Sequence, residues 1–260
     1  MSLRVRAALA LALLASFAGG ACGTNVFGRQ YEYEEDLYLR TDGSADLIVN
    51  SSIAALVALR GLSLNPDPAS RLDRDAIRAA FDSPFAEVVR VSRPWNRKGR
   101  RFVQVRLRVA DVRKLASAAP FAWSKYELSV RDGERVFLQT VGPSAMRAGT
   151  LRNYGWTGGE LVAFRLHLPS KIIWHNARDV ETGNATDVQR GNILSWEQPL
   201  TDRLDGRPID IEVRMDTQSI LYRTLWLFAG AFLAAIALIG GLIWLTFRKG
   251  AKEAAVESSA

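Results

Sequence analysis

Reactive side chains are in short supply in this chain. Its 260 residues include two histidines and one cysteine, set against 34 Lys and Arg and 27 Asp and Glu. His167 and His175 have no ligand partner at the i+3 or i+4 spacing of a helical metal site, and His167 falls on the polar face of a strand, where a solvated role is expected. Glu32, Glu34, Glu35 and Asp36 could supply a carboxylate pair for general acid and base work, but the reading expected of them is an exposed, solvated strand face. There is no glycine-rich phosphate loop, G-x-S-x-G elbow or zinc-protease signature. These observations point away from an enzyme, and neither a metal nor another cofactor is expected.

The stronger charge signal is basic. From Arg90 to Lys114 the only acid is Asp111, and the formal net charge of the whole chain is +7. The stretch from Trp95 to Arg101 reads as a hairpin tip, a positively charged finger with one aromatic ring. Arg97, Lys98, Arg100 and Arg101 are its candidate ligand contacts, suited to anionic headgroups. Near a membrane each such residue attracts anionic lipid by about 1 kcal/mol, and Trp is at home at that interface.

The elements that must carry this finger are mostly strands. Tyr31, Tyr33, Leu37 and Leu39 alternate with Glu32, Glu34, Asp36 and Arg40, and Asp42-Gly43 turns the chain onto the run Ala45–Val49. Val103, Val105, Leu107 and Val109 alternate with polar residues. Tyr126–Val130 leads through Asp132-Gly133 into Val136–Val141, a second hairpin of the same turn chemistry. Further strands are expected at Val162–Leu168, Ile172–Trp174, Ile193–Trp196 and Ile209–Met215. Asn184-Ala185-Thr186 matches a glycosylation acceptor and is read as a turn.

Helices are fewer. A short turn is expected over Ala54–Leu59. A helix opened by Ser70, with Asp73 three residues on, would place Leu72, Ala76, Ala80 and Phe81 on one stripe. Asp111 can cap another from Val112 to Ala118, ended by Pro120. The expected fold is α+β: a mostly antiparallel β-sheet domain with two or three short helices, plus one C-terminal transmembrane helix.

That last helix is the clearest element. Leu225–Phe247 holds no charge and is followed at once by Arg248 and Lys249. It would reach about 34 Å, enough to cross a hydrocarbon core of about 30 Å. Trp226 and Trp244 suit the two interfaces, and Arg248, Lys249 and Lys252 assign the tail to the cytoplasm.

At the other end, Arg4 and Arg6 precede an apolar run, Ala7–Ala18, of signal-peptide length. Ala18-Gly19-Gly20-Ala21-Cys22 then resembles a bacterial lipobox, with Gly19 in place of the usual larger apolar residue. Cys22 is the expected lipidation site, since a lone cysteine cannot form an internal disulfide. The expected layout is a signal peptide over 1–21, an extracytoplasmic domain over 22–218, a transmembrane helix with a short lead-in over 219–247 and a cytoplasmic tail over 248–260. The chain is thus expected in the bacterial cytoplasmic membrane as a single-pass protein. That compartment argues against nucleic acid as the partner of the basic run.

The strand-turn-strand LYLRTDGSADLIV, the later FRLHLPSKI followed by GNILSWEQPLTDRL, the cysteine ending the signal segment and the basic stop after the span together resemble the LppM-type bacterial lipoprotein family, over approximately Cys22 to Met215. The resemblance implies an envelope lipoprotein with an α+β ectodomain. It also implies, as for the family's mycobacterial namesake, a lipid-binding-like fold with an apolar cavity and glycolipid association. No catalytic residue is implied. Two functional readings follow: a tethered module that binds a lipid or another envelope ligand, and a structural component that docks onto a membrane-protein partner. In the span Ala237 and Gly241 have a small-xxx-small spacing, which is common by chance.

Overall fold

Residues 28–146 and 154–257 are described in the computed structural model of the chain, with side chains as far as Arg248. The signal segment 1–21 and Cys22 lie outside the described residues.

Local turn chemistry builds the hairpins. β1 (Gln30–Leu39) turns through Asp42-Gly43 into β2 (Ala45–Ser52), with Gly43 at φ 90° and Asp42 accepting the Ser44 N–H at 2.9 Å. β3 (Ala86–Val91) is followed by a short hairpin of β4 (Trp95–Arg97) and β5 (Arg100–Val109), whose two turn residues, Lys98 and Gly99, both have positive φ. Asp132 and Gly133, at φ 51° and 80°, join β6 (Ser124–Arg131) to β7 (Glu134–Val141) in the same way. Positive φ at both central residues matches the right-handed twist of the flanking strands.

The remaining strands are β8 (Glu160–His167), β9 (Ser170–His175), β10 (Ile193–Pro199) and β11 (Ile209–Ser219). They complete two sheets. One has the order β10-β8-β1-β2-β5-β3, with β4 also on β5, and the other the order β6-β7-β11-β9. Among the described residues the pairings are antiparallel except one: β1 runs parallel to β8, with Leu37 beside Leu166. No turn signal could announce that pair, because its strands are far apart in sequence. Both sheets contribute to one core, in which Leu47, Val105, Leu107, Phe137, Leu166 and Leu194 are buried.

α1 (Ile53–Arg60) follows β2 without a break, capped by Ser52, whose Oγ accepts the Ala55 N–H at 3.0 Å. α2 (Arg74–Phe81) starts later than expected. Asp73 is its cap, accepting the N–H groups of Asp75 and Ala76 at 3.0 and 2.9 Å, whereas Ser70 donates to the Asp67 carbonyl. Phe81 faces inward as expected, joined by Ile77, whereas Ala76 is exposed. Asp111 caps a 3-10 turn, Val112–Ser117, as its position suggested. α3 (Leu200–Leu204) covers β8 and β10. The fold is α+β, and one helix, α4 (Ile220–Glu257), is long and apolar enough over Ile220–Arg248 to cross a membrane.

The acidic run departs from its expected exposure. A β-bulge at Glu32 interrupts the β1–β8 register. Glu32 is 0% exposed and Glu35 4%, while Glu34 and Asp36 are half-buried and face Arg165 at 2.8 and 3.6 Å. Strand alternation predicts a face, and here the charged residues are drawn inside because buried arginines wait for them.

Candidate functional site

The structure separates the four cations expected to act together. Arg100 turns inward, 9% exposed, with Nε 2.8 Å from Glu32 and Nη2 3.6 Å from Glu160, and it donates to the Gly155 carbonyl at 3.0 Å. Trp156 closes over the same carboxylate, donating Nε1–H to Glu32 at 3.1 Å. Glu160 accepts the backbone N–H groups of Thr157 and Gly158 at 3.0 and 2.9 Å. Arg100 therefore fastens the starts of β1, β5 and β8 together, where the sequence pointed to a ligand contact.

Arg97, Lys98 and Arg101 stay at the surface and keep their charge uncancelled. Arg97 donates to the Tyr31 carbonyl and lies 4.3 Å from the Phe102 ring, on which Trp95 also stacks at 5.9 Å. Lys98 Nζ donates to the Gln30 amide oxygen at 2.9 Å, and Arg101 donates to the Pro68 and Ser70 carbonyls. Among the described residues none of the three pairs with a carboxylate. The finger is thus held against the domain by neutral acceptors, with an exposed Trp95 at its base.

A second charged cluster lies inside, between the sheets. Arg60 meets Glu35 at 2.5 Å and stands 4.6 Å from the Tyr33 ring, and the Tyr33 hydroxyl donates to Glu35. Burial opposes the Arg60 charge, but Tyr33 and Glu35 more than offset that and hold its pKa above the usual value. Among the described residues Arg203 has only the Val141, Gly142 and Arg207 carbonyls as acceptors. Burial and the like charge of Arg60 push it down to about 10. The interior void beside Glu35, Leu47, Tyr126 and Phe164 measures about 10 Å³. It has room for one water and none for an acyl chain, which needs a site of several hundred cubic ångströms.

His167 stacks on Tyr38 at 3.8 Å and comes within 3.6 Å of Asp36. Burial lowers its pKa below the ordinary 6.5 although Asp36 works against that, and burial lowers His175 as well. Among the described residues no group of three or more His, Cys, Asp or Glu is placed to hold a metal ion.

The feature that motif reading missed is the mounting of the domain on the span. Asn192, at φ 61°, donates its side-chain amide to the Leu168 and Ser170 carbonyls at 2.9 and 2.5 Å. The Pro169 carbonyl accepts the Ile220 N–H at 3.0 Å, Ser219 Oγ accepts the Tyr222 N–H at 3.1 Å, and Arg223 pairs with Asp216 at 2.6 Å. The LPSKI and GN segments, distant in sequence, converge where β11 becomes α4. The only signal for this was Gly191-Asn192, a dipeptide suited to positive φ.

Neither a protein-family model nor a curated protein matches this chain. Among solved structures, the NMR structure of the folded domain of the Mycobacterium tuberculosis LppM protein is similar over 75% of this chain and 95% of that chain, with 11% sequence identity and a TM-score of 0.35. At that TM-score the likeness carries no argument about function.

Proposed function

We propose that this chain is a non-catalytic binding module of the bacterial cytoplasmic membrane, single-pass, with its folded domain outside the cytoplasm, that engages anionic lipid headgroups through the β4–β5 finger. The observation that carries the reading is the convergence of the finger with the start of β1: Arg97 and Lys98 are bonded to Tyr31 and Gln30. Cys22 precedes Gly28 by a contour of at most about 21 Å. A lipid on Cys22 would therefore be anchored close to three uncancelled cations and Trp95.

The span joins the other end of the domain. β8 begins beside Arg100 and ends three residues before Ser170, which pairs with Ser219 at the head of α4. At about 3.3 Å per residue the two ends of β8 are roughly 23 Å apart. Attachment at both ends would lay the domain along the membrane with the finger against headgroups. The small void beside Glu35 favours recognition at the surface over an acyl pocket there. The positive flank Arg248, Lys249 and Lys252 supports the orientation.

The test is hydrogen exchange on the full chain in nanodiscs of neutral or anionic phospholipid. Amides of Trp95–Arg101 should be more protected in the anionic discs, and Arg97→Glu with Lys98→Glu should abolish the difference. Protection indifferent to lipid charge would refute the reading.

A second reading, a structural component that docks on a membrane protein, is favoured by one observation. β9 is an edge strand beside the span, and its Ile173 and Trp174 are 52% and 45% exposed. Such an edge can accept a partner's strand.

A further inference from the structure

The basic run continues around the sheet edge into a site that the finger does not include. Between α2 and β3 lies an open cleft of about 670 Å³, lined by Arg74, Arg78, Arg90, Arg93, Ser92 and the valines at 89 and 91. We propose that this cleft binds a phosphate-bearing anion, held by Arg74, Arg78, Arg90 and Arg93.

Edge protection explains only part of the arrangement. β3 ends its sheet, and Arg74 and Arg78 reach from α2 to donate to its Val91 carbonyl, at 3.0 Å, and its Val88 carbonyl. Those two bonds cover the open edge. They use a fraction of the five N–H groups each guanidinium carries and cancel none of its charge.

Arg90 and Arg93 take no part in that cover. A β-bulge between Val88 and Arg90 shifts the register and sets Arg90 opposite Arg106 on β5. Like charges in directly opposed positions destabilise a sheet. Bulges often serve to re-aim a side chain beside a site.

Three nearby carboxylates are otherwise engaged, and Asp75, exposed in the first turn of α2, pairs with none of the four arginines. Glu87 pairs with Arg108 at 3.0 Å, Asp82 accepts the Val88 N–H at 3.1 Å, and Asp73 caps α2. Among the described residues no carboxylate pairs with any of the four arginines. The cluster is stabilised by an anion of more than one negative charge, and guanidinium groups bind phosphate through two parallel N–H···O bonds. Only two valines supply apolar lining, so the cleft takes the phosphate and a polar substituent, with no seat for an acyl chain. This site does not rest on the finger meeting the membrane.

Calorimetric titration of the full chain in neutral-lipid nanodiscs, with inorganic phosphate and with glycerophosphoglycerol, tests the proposal. At least one probe should bind at one site per chain. Arg90→Gln with Arg93→Gln should weaken it at least tenfold, while Lys125→Gln with Lys171→Gln, two exposed lysines on the other sheet, changes it less than threefold. Preference for the phosphodiester identifies a lipid headgroup as the source, and preference for inorganic phosphate a soluble phosphate; either supports the site. If the double variant does not fold, Arg90→Lys, which keeps the charge and loses the two-pronged geometry, should weaken binding at least threefold. Binding of neither probe at millimolar concentration, or affinity unchanged in the folded variants, overturns it.

Discussion

Arg100→Met should cost this domain much of its stability and leave any surface contact of the finger intact. The guanidinium compensates Glu32, which is fully buried, and stands 3.6 Å from Glu160. Removing it leaves Glu32 with neutral donors only, Trp156 Nε1 at 3.1 Å and the Gln30 amide at 3.2 Å. Glu160 suffers less, because backbone N–H groups hold it. Breaking a buried pair from one side costs about 3–5 kcal/mol, a large share of the roughly 5–15 kcal/mol of a typical domain. With a urea m-value of about 2 kcal/mol/M, the midpoint should fall by roughly 1.5–2.5 M. Pulse proteolysis of the full chain in nanodiscs, read on fragments of the folded domain, measures this. Glu32→Gln placed in the Arg100→Met background should restore part of the loss, since the carboxylate no longer needs a counter-charge. Arg97→Gln and Lys98→Gln, whose side chains are exposed, should move the midpoint by less than about 0.5 M. A midpoint for Arg100→Met as close to the parent as theirs would refute the claim that this arginine is a structural fastener.

Asn192→Ala removes two bonds to the Leu168 and Ser170 carbonyls and places a β-carbon residue at φ 61° without the asparagine's tolerance of that region. The expected cost is about 1–3 kcal/mol, with faster hydrogen exchange confined to Leu168–Ile172 and the head of α4; uniform exchange across both sheets would contradict the assigned role. The histidines set an acid limit. Both have folded pKa values below their unfolded value near 6.5, so the unfolded chain binds more protons, and stability must fall as pH drops below that value. The urea midpoint should decline from pH 7 to pH 5, and His167→Asn with His175→Asn should flatten the decline. The carboxylates held low by hydrogen bonds, Asp42 and Asp111, act only at more acidic pH, below 3.8. A variant slope equal to the parent's would exclude the histidines as the cause.

The finger shows how far residue type alone can lead. Four basic residues within five positions read as one patch, yet neighbours in a strand point to opposite faces, and Arg100 finds buried carboxylates where its cross-strand partner Arg97 finds a backbone carbonyl. Their fates diverged: three donate to neutral oxygens at the surface and one enters the domain. Arg90 and Arg93 carried the same signal in sequence. Their distinction came from α2, which brings Arg74 and Arg78 alongside them.

By itself the sequence determined what depends on near neighbours. Alternation marked the strands, Asp-Gly pairs marked two hairpins, and an uncharged apolar run with a basic stop marked the helix fit to cross a membrane. Each of these is a local property, fixed by backbone conformational preference or by transfer of a contiguous segment out of water. The tertiary structure decided the parallel pairing of β1 with β8, the burial of Glu32 and Glu35, and the convergence of Asn192, Pro169 and Ile220. Those depend on contacts across long sequence separations. A buried charge is tolerated only where the opposite charge arrives from elsewhere, and no pattern read along one strand reports that arrival.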